Sequence, residues 1–163
     1  MPSLHDTSHE HHEQIAPHLD RLPELAQMIG RETPEAFSAA FQQECRFVVG
    51  QLVPHMEAIE TTLYGRLERV MEGRHSMAPM RLEHERLRGL FASLCQYREL
   101  VADGHMSEAE EIGLRRVLYR LYAMLKVHLA EEELYLGVLD RNLTAEDKDA
   151  LAQGIDHAVA EPI

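Results

Sequence analysis

Apolar residues recur through this chain at three- and four-residue intervals, a spacing that points to helices and away from strands. Phe37, Phe41, Val48, Val49 and Leu52 form one stripe. Leu87, Leu90, Phe91 and Leu94 form a second, and Leu118, Leu121, Leu125 and Leu129 a third. Residues three and four apart share a helix face, so each stripe is one side of an amphipathic helix that needs a partner to bury it. Leu, Ala, Glu and Arg are plentiful while Gly and Pro are sparse, and such side chains lose little rotamer freedom in a helix. At 163 residues the chain fits one domain with a real core.

Local signals divide it. Residues 1–8 read as a flexible polar tail. A first helix is expected from about His9 to Gly30, kinked or interrupted at Pro17 and Pro23. Thr33, Pro34 and Glu35 read as N-cap, first-turn proline and first-turn acid of a second helix, which runs to about Glu72 with a kink at Pro54 and Gly73 as its end. A third spans about Pro79 to Ala102, and Asp103-Gly104-His105 is a turn. Ser107 with Glu110 forms a capping box for the fourth, which ends near Asp140. Thr144 caps a short last helix, Ala145 to Ile155. The predicted architecture is all-α: an up-down-up-down four-helix bundle over residues 9–142, then a short C-terminal helix and tail over 143–163.

The formal net charge of −12 repels a phosphate backbone and argues against nucleic-acid binding. No apolar run approaches the length of a membrane span, and the first residues carry no signal-peptide pattern. Cys45 and Cys95 make no disulfide framework, so a reducing cytoplasm is the expected compartment.

Histidine is the unusual component, with 11 in the chain. Each long helix carries a candidate: His12, His55, His84 and His128. His12 precedes Gly30 by about 27 Å of helix and His55 follows Pro34 by about 31 Å, at roughly 1.5 Å per residue. His84 and His128 each lie about 30 Å from their shared turn. Across the turn between helices two and three the heights differ by about 18 Å, so the segment 73–78 is expected to climb back along the bundle. After His128 come Glu131, Glu132 and Glu133; Glu132 at i+4 or Glu131 at i+3 shares its face, and Glu133 lies farther round. Imidazole with carboxylate suits iron, zinc or manganese, and two separate cysteines make a thiolate zinc site improbable. A ferritin-like centre needs Glu three residues before a ligand His, but Leu52, Arg81 and Leu125 stand there. His11 competes with His12, and His18 falls about 9 Å short of its height. His5, His9 and His11 read as a solvated tail, and His75, His105 and His157 as exposed. Tyr64 and Tyr135 read as packing residues close to the site.

His12-Glu-Gln-Ile15 with Pro17-His18, Leu52-Val-Pro54-His55 with Leu63-Tyr64, Met80-Arg-Leu-Glu-His84, and Val127-His128 through Glu133-Leu-Tyr135-Leu136 together resemble the hemerythrin-like HHE cation-binding domains over most of the chain. The resemblance implies a centre of two irons bridged by carboxylates, in proteins that bind oxygen, sense oxygen or iron, or handle peroxide and nitric oxide. It also implies a bridging Glu four residues after the second-helix His, where this chain has Ile59. Glu60 is the nearer substitute and Glu57 the other. A second third-helix His, as in the oxygen carriers, would fall at Arg88, so oxygen carriage is not the expected role. The expected metal set is His12, His55, His84, His128 and Glu132, with Glu60, Glu133, Glu131, His11 and His18 behind them. The expected cofactor is iron, di-iron or mononuclear, with zinc or manganese as alternatives, and the expected partner a diatomic or peroxide ligand. The alternative is a metal-poor helical scaffold or interaction protein on a degenerate site, working through its surface, with a homodimer compatible with either.

Overall fold

Two N-caps fix where the long helices begin. The Thr33 hydroxyl accepts from the Ala36 N–H at 3.3 Å, and Pro34 fills the first helical position, where its missing N–H costs nothing. Ser107 and Glu110 form the expected capping box: the Ser107 hydroxyl accepts from the Glu110 N–H at 3.3 Å, and the Glu110 carboxylate accepts from the Ser107 N–H at 2.7 Å.

The computed structural model describes residues 4–72, 74 and 76–159, with side chains at 9, 12–72, 74 and 76–153. Five helices follow. Helix α1 is Leu4–Met28. Helix α2 is a continuous rod of abutting segments: Pro34–Phe47, a π turn Val48–Leu52, Val53–Ile59, a second π turn Glu60–Tyr64, and Gly65–Val70. Helix α3 is Ala78–Gln96, prolonged by a short turn Arg98–Ala102. Helix α4 is Glu108–Asn142 and α5 is Ala145–Val159, capped by the Thr144 hydroxyl, which accepts from the Asp147 N–H at 3.2 Å. Gly104, at φ +72°, turns the chain between α3 and α4. Among the described residues there is no strand, and no helix is long and apolar enough to cross a membrane.

Three local expectations change. Helix α1 begins at Leu4 rather than near His9, so the segment read as a tail is helical from that point. His9 contacts Glu13 within the helix at 3.6 Å and Glu133 of α4 at 3.5 Å, and the second contact holds this polar start onto α4. Pro17 and Pro23 lie within α1 without ending it. Each removes one backbone donor, and the burial of Ile15, Leu19, Leu22 and Leu25 outweighs that loss. Pro54 sits just after a π turn in which the Val53 N–H reaches back five residues to the Val48 carbonyl. A proline has no N–H to offer the carbonyl four residues earlier, and the wider turn absorbs the mismatch. The expected helix end at Gly73, and the expectations for His5, His11, His75 and His157, fall outside the described residues or side chains. His105 is exposed.

Helix α1 packs between α2 and α4, and α3 between α4 and the start of α2, giving the up-down circuit of a four-helix bundle. Helix α5 folds back across the middle of α2 and onto α1, tied by Arg66 to Asp147 at 2.9 Å. The core falls into two clusters. The larger runs from the α3–α4 turn end as far as Met56 and Leu125; the smaller, with Ile59, Tyr64, Leu136 and Leu151, lies beneath α5.

The junction of α2 and α3 needs no climb of 18 Å. His84 does not sit level with His55. It lies beside Glu60 and Tyr64, and Tyr64 is six residues before Val70 just as His84 is six after Ala78.

Leu121 has no exposed surface, so Leu121→Ala is expected to lower unfolding stability by about 3 kcal/mol through lost burial and a cavity. Ser107→Ala should cost about 1 kcal/mol through the lost cap. Urea titration followed by circular dichroism reads both.

Candidate metal centre

The described interior is apolar with six exceptions, and five of them are His12, His55, His84, His128 and Glu132. The sixth, Glu44, lies elsewhere against His18. Burying polar groups costs free energy unless each finds a partner, so the five demand an account. Each is placed by the apolar stripe of its own helix. Ile15 and Leu19 follow His12 on α1, Met80 and Leu87 flank His84 on α3, and Leu121 and Leu125 precede His128 on α4. His55 stands between the two π turns of α2, directly after Pro54.

Among the described residues, carboxylates hold the rings of His12, His84 and His128 from behind. His12 Nδ1 donates to Glu133 at 3.3 Å, His84 Nδ1 to Glu60 at 3.0 Å and His128 Nδ1 to Glu83 at 3.0 Å. A carboxylate only accepts, so the proton of each neutral ring belongs on Nδ1 and the Nε2 lone pair points inward. That is the arrangement that orients metal-binding histidines. Burial, with His128 alongside, pulls the His84 pKa down to about 4 against the opposing pull of Glu60, which keeps the ring in its neutral, ligating form. Burial alone would raise the pKa of Glu60, but hydrogen bonds from Arg88 and His84 outweigh it and keep the carboxylate charged.

The inward atoms converge. One nitrogen each of His12 and His55 and one oxygen of Glu132 lie within 4.8 Å of one another. His84 Nε2 and His128 Nε2 are 2.9 Å apart, with the Tyr64 hydroxyl 3.1 Å from His84 Nε2. Glu132 Oε2 stands between the two groups, 3.8 Å from His12 Nε2 and 3.7 Å from His128 Nε2.

This donor set fits a cation. With both Nδ1 protons committed to Glu60 and Glu83, His84 and His128 turn two lone pairs toward each other, and a cation between or beside them would relieve that. Glu132 is 3% exposed, its Oε1 has no hydrogen-bond partner among the described residues, and burial, with Glu133 adding, pushes its pKa up to about 8. A bound cation would keep it charged instead.

The other candidates fall outside this cluster. Glu60 and Glu133 lie behind His84 and His12, toward the surface. Glu131 is half-buried and takes no part. His18 bonds Glu44 at 3.2 Å and stacks on Phe47, and the side chain of His11 lies outside the described set. Arg88, at the position of a second third-helix histidine, pairs with Glu60 at 2.8 Å. Ile59 is buried among the apolar residues under α5. Sequence reasoning missed Glu83, whose only signal was its place one residue before His84, about 100° round the helix toward α4. It also read Tyr64 as packing, where the hydroxyl meets a ring nitrogen.

Glu83→Ala leaves the five inward side chains in place but frees the His128 ring. The expected result is metal affinity lower by about 10–100-fold, read by competition with a chromogenic chelator, with an unchanged helical spectrum.

No curated protein and no solved structure matches the chain. The hemerythrin HHE cation binding domain matches residues 3–158, nearly the whole length. With the bundle and its convergent histidines and glutamate already described, the chain belongs to the hemerythrin HHE cation-binding domain family.

Proposed function

We propose that this protein is a non-heme iron protein whose His/Glu centre binds or senses a small redox ligand: dioxygen, peroxide or nitric oxide. The observation that carries the reading is Glu132. Its Oε2 lies nearly equidistant from His12 Nε2, at 3.8 Å, and His128 Nε2, at 3.7 Å, as a carboxylate shared between two ions would. His12 and His55 would hold one ion and His84 and His128 the other, with Glu132 common to both. The nitrogen-rich set with one carboxylate suits iron, zinc or manganese, and the Tyr64 hydroxyl adds a hard oxygen donor suited to iron. Iron held there would supply coordination positions open to such a ligand.

The chain's own residues supply the rest. Glu60, Glu83 and Glu133 orient the rings, and the apolar residues above and below the centre exclude bulk water. A groove of about 230 Å³ between α1 and α4 has His12 in its wall, with Ala16, Leu19, Leu129 and Ala130 and the charged Glu13, Lys126 and Glu133 around it, and would be the route inward. Its size suits a diatomic molecule or peroxide rather than a metabolite.

Ile59 supports a second reading, a helical scaffold on a degenerate site, because an apolar side chain occupies the place of a second bridging carboxylate. Metal analysis separates the two. Protein expressed with added iron should carry about two ions per chain if both histidine pairs are used. It should also melt several degrees above the same protein stripped by a chelator, since a ligand bound only to the native state stabilises it by mass action. One ion per chain would point to a mononuclear centre. Metal-free protein with equal melting points would sink the iron reading and leave the scaffold.

A further inference from the structure

Helix α4 has two apolar faces where a bundle helix needs one. Its inner face carries the leucines of the core together with His128 and Glu132. On the opposite side Ile112, Tyr119, Val127 and Leu134 are 42%, 44%, 57% and 74% exposed. These are four of the six large hydrophobic side chains exposed among the described residues, so the surplus apolar surface is concentrated on this helix. At about 100° per residue they fall within an arc of about 80°, centred almost opposite the buried leucines. Exposed Ala123 and Ala130 lie inside the same arc. The pattern is an eleven-residue one, Ile112 to Ala123 to Leu134, which stays on one side of a nearly straight helix. The stripe runs about 33 Å along the surface. An exposed strip of this kind, apolar but for Arg116, marks an interaction surface.

We propose that the outer face of α4 is a dimer interface, on which a second copy of this chain docks its own α4 antiparallel about a two-fold axis at Ala123. The order of residues is self-complementary in that arrangement, and the charges separate it from a parallel one. The axis sets Ile112 against the partner's Leu134, Tyr119 against the partner's Val127, and Ala123 against the partner's Ala123. Large side chains meet large ones toward the ends, and the smallest meet at the centre, where the helices approach closest. The charges agree. Arg116, exposed and on the stripe, comes level with the partner's Ala130, one residue from the partner's half-buried Glu131, which takes no part in the metal cluster. A parallel pairing would instead set Arg116 on Arg116 across the axis. The surface is also shaped to receive side chains: a groove of about 430 Å³ runs beside Ile112 and Tyr119, where the partner's Leu134 would seat, and another of about 470 Å³ lies beside Ala123, between α3 and α4. None of the surface residues invoked belongs to the metal cluster, so the dimer stands or falls apart from the iron reading.

Sedimentation velocity on the full chain should give a dimer that dissociates on dilution. Val127→Glu, a change at an exposed position, should weaken the dimer at least tenfold with an unchanged helical spectrum. Arg116→Glu should weaken it, and Arg116→Glu combined with Glu131→Arg should restore it. The axis is read separately in a Cys95→Ser background. Ala123→Cys should cross-link on mild oxidation. Ala130→Cys should not, because its two copies would lie about 21 Å apart along the helices. A wild-type monomer at every concentration would overturn the proposal, leaving the stripe to some other occupant. A dimer indifferent to Val127→Glu, or one that cross-links as well through position 130 as through 123, would overturn it equally.

Discussion

A histidine ring buried in an apolar bundle must account for both of its nitrogens, and the rings of His12, His84 and His128 do so in the same way. Each gives Nδ1–H to a carboxylate from another helix and turns Nε2 inward: His12 to Glu133, His84 to Glu60, His128 to Glu83. These bonds cross from α1 to α4, from α3 to α2 and from α4 to α3, so the polar layer ties the circuit of helices together. The carboxylates are part-exposed and keep access to water, whereas the rings they hold do not. Within this layer, among the described carboxylates, Glu132 alone is taken out of water.

Helix α2 shows what that layer costs the backbone. His55 lies between two π turns, each a departure from ideal α-helical bonding. Pro54 accounts for the first. In the second, the Thr61 hydroxyl donates to the Glu57 carbonyl at 2.8 Å and the Thr62 hydroxyl to the Ala58 carbonyl at 2.6 Å, bonds that compete with the backbone ladder there. The Glu60–Tyr64 turn carries the two side chains that meet His84, Glu60 at Nδ1 and Tyr64 at Nε2. An irregular stretch of α2 thus presents both sides of one imidazole's environment.

The helices and the convergence of the histidines could be read from sequence because both depend on spacing along one helix at a time. Thr33 and the Ser107–Glu110 box announced their helices, and the apolar stripes announced their faces. The π turns could not be read so, because the pattern within α2 is compatible with an unbroken α-helix, and the widened turns are held by Pro54, two threonine hydroxyls and packing under α5. The 18 Å mismatch was an artefact of one assumption, that all four histidines stand at one height. Two do not: His84 meets α2 at Tyr64, nine residues beyond His55. Glu83 and Glu60 escaped as supporting residues for a related reason. A carboxylate behind a ring belongs to a neighbouring helix, and no interval within one helix reveals it.

The supporting carboxylates also bear on Ile59. With that position apolar, Glu132 is the one carboxylate among the described inward groups, and two divalent cations held by neutral imidazoles and one carboxylate would leave a large excess of positive charge in a low-dielectric core. Glu60, Glu83 and Glu133 change that balance. Each stands one ring's width from the inward nitrogens, so with Glu132 there are four carboxylates to set against the charge of two dications, although Arg88 also draws on Glu60. In a two-ion centre of this kind, charge compensation would lie on the far side of the imidazoles rather than at a bridging position. A site arranged this way can dispense with a second bridging glutamate electrostatically while losing its geometric restraint on the spacing of two ions. The phenol of Tyr64, buried and against His84 Nε2, is placed to supply part of that restraint.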